Sequence, residues 1–585
     1  MTQELREGVS RVFADRLAGV DDKLIQECGA ISYSFYELTC SSFLPGVSLC
    51  ELYNMTPENF LWKWEASNVN FNSRSQDSEL KLLTSDSIVA VKTLITRELL
   101  KDASKRKQPR TNATVLPANL KDSRFPTKGD SVSYRGPATD VLSRKKRAFR
   151  YMYEKVSERS EVLDERIEEI AELVREHYKI SDFSDPSAST DEEVIVVGRI
   201  VQEAEAASSS SKLNDATIHL ESSRMHGSGS RVPLRFSPFL KIRGCIRGAK
   251  SVGFFPGAIT VLKGKNGGGG WFQVSEILGL PPPAPLLPAE PSHSKMELGM
   301  GGLPFSMCVA CGPYTTDSNL QYKPRDSLFE YLKNSKPKVV LIMGPFVDSA
   351  HPRIKAGDAD YPPSRIYQAR FLNPLIAFLK ESPESIVLLL PHVRDLLSDR
   401  AVYPQTEYPQ HLTGDHPQIH LLPNPARFSI NGVNFGATSV DVLFHLKREE
   451  FLKRGEEVTP IPPTSVEDTG ADGMGNLCRY LLQQRSFYPL FPVPLDVSHE
   501  VNLDISHSEG LRMCDTDQNK YAPDILLVPS KLKEFCKTVH STIAINPSYL
   551  SRARYATINV SAGTTPAMDR VKVELSKFKG GETTG

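Results

Sequence analysis

Residues 339–352 read VVLIMGPFVDSAHP, and this stretch decides how the C-terminal half of the chain is interpreted. Five consecutive apolar residues, Val339 to Met343, run directly into Gly344-Pro345. A short apolar run that ends at Gly and Pro is typical of a strand buried on both faces of a sheet. In open α/β folds, ligands bind beyond the carboxyl ends of such strands. The residues after Met343 are therefore the first place to look for chemistry.

Similar patterns extend this domain over residues 300–585. A helix is predicted over Arg365–Lys380, where apolar residues recur on one side. FSINGVNFGATS (428–439) is typical of a hairpin with Asn431-Gly432 in a type I′ turn. Three further buried strands are predicted: Phe305–Ala310, Ile386–Leu390 and Ile525–Val528. Alternating strands and helices indicate a mixed sheet with helices on its faces.

The strand ends lack the ligands that a metal-dependent phosphoesterase of the calcineurin type needs. Such enzymes clamp phosphate between two metal ions about 3.5–4 Å apart, held by carboxylate and imidazole. Their ligands fall in Asp-x-His, Gly-Asp-x-x-Asp, Gly-Asn-His-Glu/Asp and Gly-His-x-His. None of the 13 histidines has Asp two positions before it, and none follows Asn or Gly. Pro345 follows Gly344, and proline cannot bind a metal.

Isolated candidate ligands remain, but none forms a set. Asp348 and His392 follow two of the strands, while Arg394 would place a positive charge where a cation should bind. Gly414-Asp415-His416 lies in a polar loop with no apolar strand before it. Cys308 and Cys311 lack a second cysteine pair and should point to opposite faces of one strand, which favours buried thiols over zinc. We therefore predict no catalytic, cofactor-binding or metal-binding residue.

Residues 190–285 are predicted to form a small β-barrel. EVIVVGRIV, DATIHLES, VPLRF and AITVLKG are short strand patterns within fewer than 100 residues, which favours an OB-fold. Gly267–Gly270 follow Lys265 and precede a strand, so they predict a hairpin loop and no phosphate-binding loop. Trp271, Phe254 and Phe255 could stack on single-stranded DNA. The two phenylalanines, however, have the pattern of core residues.

The N-terminal part has a different character. Residues 1–75 are predicted to be a small helical domain, with Leu17 and Val20 at helical spacing and a helix start at Thr56-Pro57. Residues 76–150 are predicted to be a flexible basic linker, since positions 101–150 hold 14 Lys and Arg against four Asp. Its basic runs, Lys105–Lys107 and Arg144–Arg147, are typical of nuclear localisation signals, nucleic-acid patches or a solvated tether.

A helix over residues 151–180 is predicted to lead from the linker into the core. Leu163, Ile167, Ile170 and Val174 recur at helical spacing along it. Residues 281–294, PPPAPLLPAEPSHS, are typical of a proline-rich linker between the barrel and the α/β domain. The predicted fold class is therefore a multidomain α+β chain.

Composition excludes several function classes. The 70 Lys and Arg balance the 70 Asp and Glu of this 585-residue chain, so no global field points to nucleic acid. No 18-residue apolar run predicts a membrane span, and the first residues do not resemble a secretory signal. Nine irregularly spaced cysteines favour a reducing compartment.

Several segments together resemble the family of DNA polymerase alpha B subunits, the accessory B subunits of the polymerase alpha–primase complex. They are NMTPENFLWKWEA (54–66), FFPGAITVLKGKN (254–266), VACGPYTTDSN (309–319), LIMGPFVDSAHP (341–352), SINGVNFGATSVDVLFHL (429–446), QQRSFYPLFP (483–492) and PDILLVPSKLKEF (523–535). The resemblance implies an OB-fold packed against a calcineurin-like phosphoesterase domain that has lost its metals. Pro345 would then stand where the ancestral metal-binding Asp was.

The resemblance also implies a function. The chain would be a non-catalytic, nuclear scaffold subunit of the polymerase alpha–primase complex, without cofactor or membrane contact. It would bind the C-terminal domain of the catalytic subunit, meet primase through that subunit, and recruit other replication factors through its N-terminal domain. The alternatives are a metal-dependent phosphodiesterase or nuclease, an OB-fold single-stranded DNA binder, and the related B subunits of polymerases delta and epsilon.

Overall fold

A computed structural model describes residues 132–149, 155–203, 212–285, 302–465, 468–514, 521–563 and 565–578, together with two short strands nearer the N-terminus. The chain divides into two compact units, residues 1–119 and 120–585. In the first, β1 (Leu17–Val20) pairs in parallel with β2 (Lys81–Leu83). The helical prediction is wrong for Leu17–Val20, where Gly19 weakens a helix and strand pairing fixes the backbone instead. The rest of the predicted helical domain lies outside the described residues.

Residues 132–285 of the second unit contain more strand than helix. In the part of this range that the structure describes, the helices are α1 (Val141–Arg147), α2 (Val156–Tyr178) and α3 (Arg224–Gly227). The strands are β3 (Tyr134–Arg135), β4 (Val194–Gln202), β5 (Ile218–Glu221), β6 (Arg231–Arg243), β7 (Ser251–Phe254), β8 (Ile259–Lys265), β9 (Phe272–Leu278) and β10 (Ala284–Pro285).

Five of these strands close into the predicted OB-type barrel. The order is β6-β5-β4-β8-β9, and β9 pairs back onto β6 in parallel. Helix α2 covers one side of the barrel, with Ile167, Ile170 and Val174 packed on residues of β4 and β8 such as Val197 and Val261. The glycine run, Gly267–Gly270, lies in the turn that joins the antiparallel neighbours β8 and β9, as predicted.

Residues 302–578 form the α/β domain. Its helices are α4 (Lys323–Ser335), α5 (Pro352–Lys355), α6 (Pro363–Tyr367), α7 (Asn373–Glu381), α8 (Val442–Glu449), α9 (Gly473–Gln483) and α10 (Ala567–Arg570), with a π-helical turn at Gln368–Leu372 and 3-10 turns at Gln410–Thr413, Leu495–Glu500, Ile505–Leu511 and Leu550–Arg552. Its strands are β11 (Phe305–Cys311), β12 (Val339–Met343), β13 (Ile386–Leu390), β14 (Ile419–Leu421), β15 (Ala426–Ile430), β16 (Val433–Ala437), β17 (Phe451–Arg454), β18 (Glu456–Val458), β19 (Tyr521–Ala522), β20 (Ile525–Leu527), β21 (Phe535–Val539), β22 (Thr542–Asn546), β23 (Arg554–Val560) and β24 (Val571–Lys577).

Two six-stranded sheets form the centre of this domain, where a single mixed sheet was predicted. The first has the order β14-β13-β12-β11-β23-β24 and the second β21-β22-β20-β16-β15-β3. Val309, Leu341 and Leu388 of the first pack against Phe435 and Ile545 of the second. Helices α4 and α7 cover the outer face of the first sheet, and α8 and α9 that of the second. The sequence could not separate the sheets because strands buried on both faces have the same apolar pattern in either.

The barrel and the α/β domain share one hydrophobic core. Phe254 and Leu262 of the barrel belong to the same buried cluster as Leu481 and Phe487 of the α/β domain. Strands β17 and β18 reach across, β17 pairing with β7 and β18 with β6. The two domains are therefore joined by backbone hydrogen bonds as well as by apolar packing.

The structure differs from the predicted flexible linker at residues 132–149. Here β3 pairs with β15, and the Ser133 amide donates to Asn431 Oδ1 at 2.8 Å. The basic run ends on an ion pair between Arg147 and Glu407, whose Nε–Oε1 distance is 3.0 Å. These contacts join residues about 260–300 positions apart in the chain. Local composition carries no signal of so distant a partner.

Loss of the Glu407 charge should loosen this docked segment. The Glu407 side chain is only 4% exposed, so Glu407→Gln removes the counter-ion of Arg147 within the interior. We expect trypsin to cleave after Lys145 and Lys146 several-fold faster, because cleavage requires local opening. Limited proteolysis with mass spectrometry measures this rate. Glu384→Gln, at an exposed ion pair, is the control; equal rates in all three proteins would contradict the prediction.

Candidate functional site

The candidate site is the edge of the first sheet where β11, β12 and β13 end side by side. Cys311 is paired with Met343, and Met343 with Leu390, so the three strand ends are level. Each is followed by a proline, at Pro313, Pro345 and Pro391 (the first two after a glycine). This is the position where an α/β fold normally binds its ligand. The residues that follow these three strands therefore determine whether the domain can act on a substrate.

An aromatic cluster fills the space beyond β11 and β12. The Phe346 ring is buried, with its centroid 5.6 Å from that of Tyr314 in a stacked arrangement and 4.8 Å from that of Phe371. Tyr367 and Tyr408 complete its surroundings at 5.4 and 5.6 Å. Tyr314 donates to the Met343 carbonyl at 2.7 Å. The strand end is thus packed as hydrophobic core and leaves no room for a solvated metal beside Phe346.

The buried carboxylate of Asp395 organises the same loop. It accepts hydrogen bonds from the amides of Phe346, Val347 and Leu397 and from the hydroxyl of Tyr408. Burial raises the pKa of Asp395 to about 6, although these hydrogen bonds act in the opposite direction. Asp395 is therefore a structural group that holds the loop after β12 against the loop after β13.

This raised pKa predicts a pH-dependent contribution to stability. The folded-state pKa of about 6 lies above the unfolded value. The contribution of Asp395 is therefore complete below about pH 4 and is lost as the pH rises through 6. Two units correspond to about 3 kcal/mol. We expect the stability advantage of the native chain over Asp395→Asn to be larger at pH 4.5 than at pH 7, measured by urea unfolding. The exposed Asp360→Asn is the control; parallel profiles for native chain and Asp395→Asn would refute the prediction.

The two isolated candidate ligands, Asp348 and His392, are both engaged by neighbouring residues. Asp348 Oδ2 pairs with Arg394 at 3.1 Å and its Oδ1 accepts from the Ala350 amide at 2.9 Å. His392 Nδ1 accepts from the Arg394 amide at 3.0 Å, and burial holds the pKa of His392 well below its usual range. Arg394 supplies a positive charge next to Asp348, as the sequence predicted.

Polar residues in the loops that flank β15 and β16 complete the edge, and sequence reasoning missed them. Asn424 Oδ1 accepts from the Ser439 amide at 3.2 Å, and its Nδ2 donates to the Ser439 hydroxyl at 2.9 Å. Asp441 caps α8 and also accepts from the Lys531 amide at 2.8 Å and from the hydroxyl of Tyr549 at 3.0 Å. Only the cap was foreseeable, since Asp before an apolar helical pattern is an N-cap signal.

The donor set does not fit the metals that a phosphoesterase would hold. Among the residues that the structure describes, no group of three or more His, Cys, Asp or Glu side chains could hold a metal ion. Cys308 and Cys311 are buried on opposite faces of β11, as predicted. Asp415 and His416 follow the 3-10 turn at Gln410–Thr413 and precede β14, which runs parallel to β13, so they lie where this strand begins and not where it ends. No catalytic step can be derived through a metal here.

The three barrel aromatics singled out from the sequence, Phe254, Phe255 and Trp271, do not offer an open stacking surface. Phe254 and Phe255 are buried in the core, as their pattern predicted. The guanidinium of Arg235 covers the Trp271 ring, with Cζ 3.8 Å from its centroid. A base would have to displace this cation to stack on the indole. In the described part of the chain, no helix is long and apolar enough to cross a membrane.

Comparisons with known proteins agree with this architecture. A family model described as the B subunit of DNA polymerase alpha/epsilon matches residues 307–537, and one described as the OB domain of the DNA polymerase alpha B subunit matches residues 160–280. The second match includes most of α2, which covers the barrel.

Three curated relatives, each named as the B subunit of DNA polymerase alpha, are similar to this chain. The Schizosaccharomyces pombe protein is 32% identical over 430 residues, which cover 73% of this chain and 68% of that protein. The Saccharomyces cerevisiae protein is 31% identical, with 70% and 59% covered. The Rattus norvegicus protein is 28% identical, with 70% and 60% covered. The match thus spans about 60–70% of the length of these relatives.

Proposed function

Because the chain belongs to the family of DNA polymerase alpha B subunits, we propose that it is a non-catalytic scaffold subunit of the polymerase alpha–primase complex. The observation that carries the proposal is the strand-end edge. Phe346 fills it with aromatic core, and Arg394 forms an ion pair with Asp348, the candidate metal-binding carboxylate after β12. A domain whose ligand-binding edge is filled by core residues would act through the protein surfaces that it presents to its partners.

The architecture supports descent from a calcineurin-like phosphoesterase. Its support is that two six-stranded sheets pack face to face with helices outside them and that the parallel strands β11, β12 and β13 end side by side. Pro345 would then stand at a former ligand position. We propose residues 300–585 as this inactivated domain, residues 190–285 with α2 as the OB domain, and residues 1–75 as part of a separate N-terminal domain within the unit 1–119. The shared core of the OB and α/β domains favours one rigid body.

This rigid body would bind the C-terminal domain of the polymerase alpha catalytic subunit. Primase would join through that subunit, and the N-terminal unit would recruit other replication factors. The protein would act in the nucleus. Of its two basic runs, Arg144–Arg147 is folded onto the α/β domain, so Lys105–Lys107, outside the described residues, is the better import signal.

Co-expression tests the proposal directly. The full chain and the C-terminal domain of the polymerase alpha catalytic subunit should elute together from gel filtration in a 1:1 ratio. The C-terminal domains of the delta and epsilon catalytic subunits are the matched controls and should elute apart from the chain. Separate elution of the alpha domain, from a chain shown to be folded by circular dichroism, would contradict the proposed function.

A further inference from the structure

The strand β24 (Val571–Lys577) forms one edge of the first sheet. Among the strands that the structure describes, only β23 pairs with it, and the register is continuous over all seven residues. The strand at the opposite edge, β14, has three residues. Natural proteins protect sheet edges with short strands, bulges, prolines or lysines. Since β24 is long and has neither a bulge nor a proline, its outer side is shaped to accept another strand.

The pairing with β23 determines which backbone groups of β24 point outward. The Ser561 amide donates to the Arg570 carbonyl at 2.9 Å, and the Phe578 amide donates to the Ala553 carbonyl at 3.0 Å. Hydrogen-bonded pairs recur at every second residue of an antiparallel ladder. The even-numbered residues of β24 therefore bond to β23, and its odd-numbered residues direct their N–H and C=O groups away from the sheet.

Three odd-numbered residues supply the outward groups. Val573 and Leu575 each present an N–H and a C=O, whereas Val571 presents only its carbonyl because its amide donates to the Ala567 carbonyl. The side chains of these three residues pack toward the second sheet and are partly buried. A row of unpaired N–H and C=O groups beside apolar side chains is a template for strand pairing.

The even-numbered side chains of β24 select the partner. Lys572 and Glu574 are 77% and 53% exposed and form an ion pair at 3.2 Å within the strand. Exposed pairs contribute little to stability, so their members can exchange partners. A second β24, antiparallel and centred on Val573, would place Lys572 of each copy opposite Glu574 of the other. Centring it on Lys572 or Glu574 would instead oppose like charges, which is unfavourable.

We propose that β24 pairs with β24 of a second copy of this chain, antiparallel and centred on Val573. In this register the two Val573 residues exchange both backbone hydrogen bonds, and the Leu575 amide of each copy donates to the Val571 carbonyl of the other. Lys572 and Glu574 then fall in pairs without backbone hydrogen bonds, where opposing side chains lie closest. The first sheets of the two copies would continue into each other. This inference does not depend on the proposed function.

Sedimentation velocity on the purified full chain, from low to high micromolar concentration, tests the inference. A strand edge buries less area than a standard interface, so we expect a weak, concentration-dependent dimer. Lys572→Glu and Glu574→Lys each oppose like charges and should raise the dimer Kd at least about fivefold. An equimolar mixture of these two variants should dimerise as the native chain does, because each acid again meets a base. Lys355→Glu, an exposed charge reversal in α5, is the control and should leave Kd within about twofold.

A further variant tests the backbone contribution. Val573→Pro removes an outward amide and no bond to β23, and edge strands tolerate proline where the N–H faces solvent. It should abolish the dimer in a chain that circular dichroism shows to be folded.

The contradicting outcomes are distinct. A native chain that stays monomeric at high micromolar concentration would overturn the inference and leave the proposed function untouched. A dimer that survives Val573→Pro and both charge variants would place the contact elsewhere. Loss of the dimer in both charge variants without recovery in their mixture would refute the register centred on Val573.

Discussion

Replacing Phe346 by alanine is expected to lower the free energy of unfolding by about 3–5 kcal/mol. The ring is 1% exposed and lies between Tyr314, Tyr367 and Phe371. Its removal leaves a cavity between two loops that Asp395 holds in place, so the site cannot easily collapse. The loss combines the transfer free energy of a large side chain with the cost of the cavity.

Chemical denaturation followed by circular dichroism measures this effect. Phe239→Ala is the matched control, because Phe239 is 85% exposed and its removal should change the unfolding free energy by less than about 0.5 kcal/mol. A change below about 1 kcal/mol for Phe346→Ala would mean that the aromatic cluster is not core. The strand-end edge would then be open to other interpretations.

Breaking the ion pair between Asp468 and Arg479 is expected to have a similarly large effect. The two side chains are 1% and 6% exposed, and their charged atoms are 2.6 Å apart. Asp468 also accepts from the His540 amide at 3.2 Å, so it connects α9 to the β21–β22 hairpin. Asp468→Ala leaves the Arg479 charge buried without its partner, which typically costs about 3–5 kcal/mol.

Two further variants distinguish a buried pair from an ordinary one. The double variant Asp468→Asn/Arg479→Met removes both charges and should be less destabilised than Asp468→Ala, because no unpaired charge remains. Asp496→Asn breaks the exposed pair with Arg448 and should change the unfolding free energy by at most about 1 kcal/mol. Equal effects for Asp468→Ala and Asp496→Asn would contradict the argument from burial.

Local pattern predicted the elements that depend on neighbours in sequence. The Asn431-Gly432 turn has φ of 48° and 81°, the left-handed values that a type I′ turn requires, and it joins β15 to β16 as expected. The helix over Val156–Tyr178 buries the apolar stripe that its spacing indicated.

The features that sequence could not supply depend on distant partners. Nothing in the sequence around Asp395 distinguishes it from a surface aspartate. Its structural role depends on hydrogen bonds from the Tyr408 hydroxyl and the Phe346 amide. Asn424 forms its network with Thr438 and Ser439, 14 and 15 positions away in the segment after β16. The ion pair between Glu169 and Arg512 forms only because α2 meets the segment 505–512 in the fold. None of these pairings leaves a periodic signal along the chain.

Metal titration combined with a hydrolysis assay tests the central claim most directly. That claim is that the strand-end edge has become structural core and supports no metal chemistry. Isothermal titration of the purified full chain with Mn²⁺ should show no saturable stoichiometric binding, and a phosphodiester substrate should remain intact. Binding of one or two Mn²⁺ per chain, with hydrolysis that Asp348→Ala abolishes, would show that the edge is an active site and that the scaffold account is wrong.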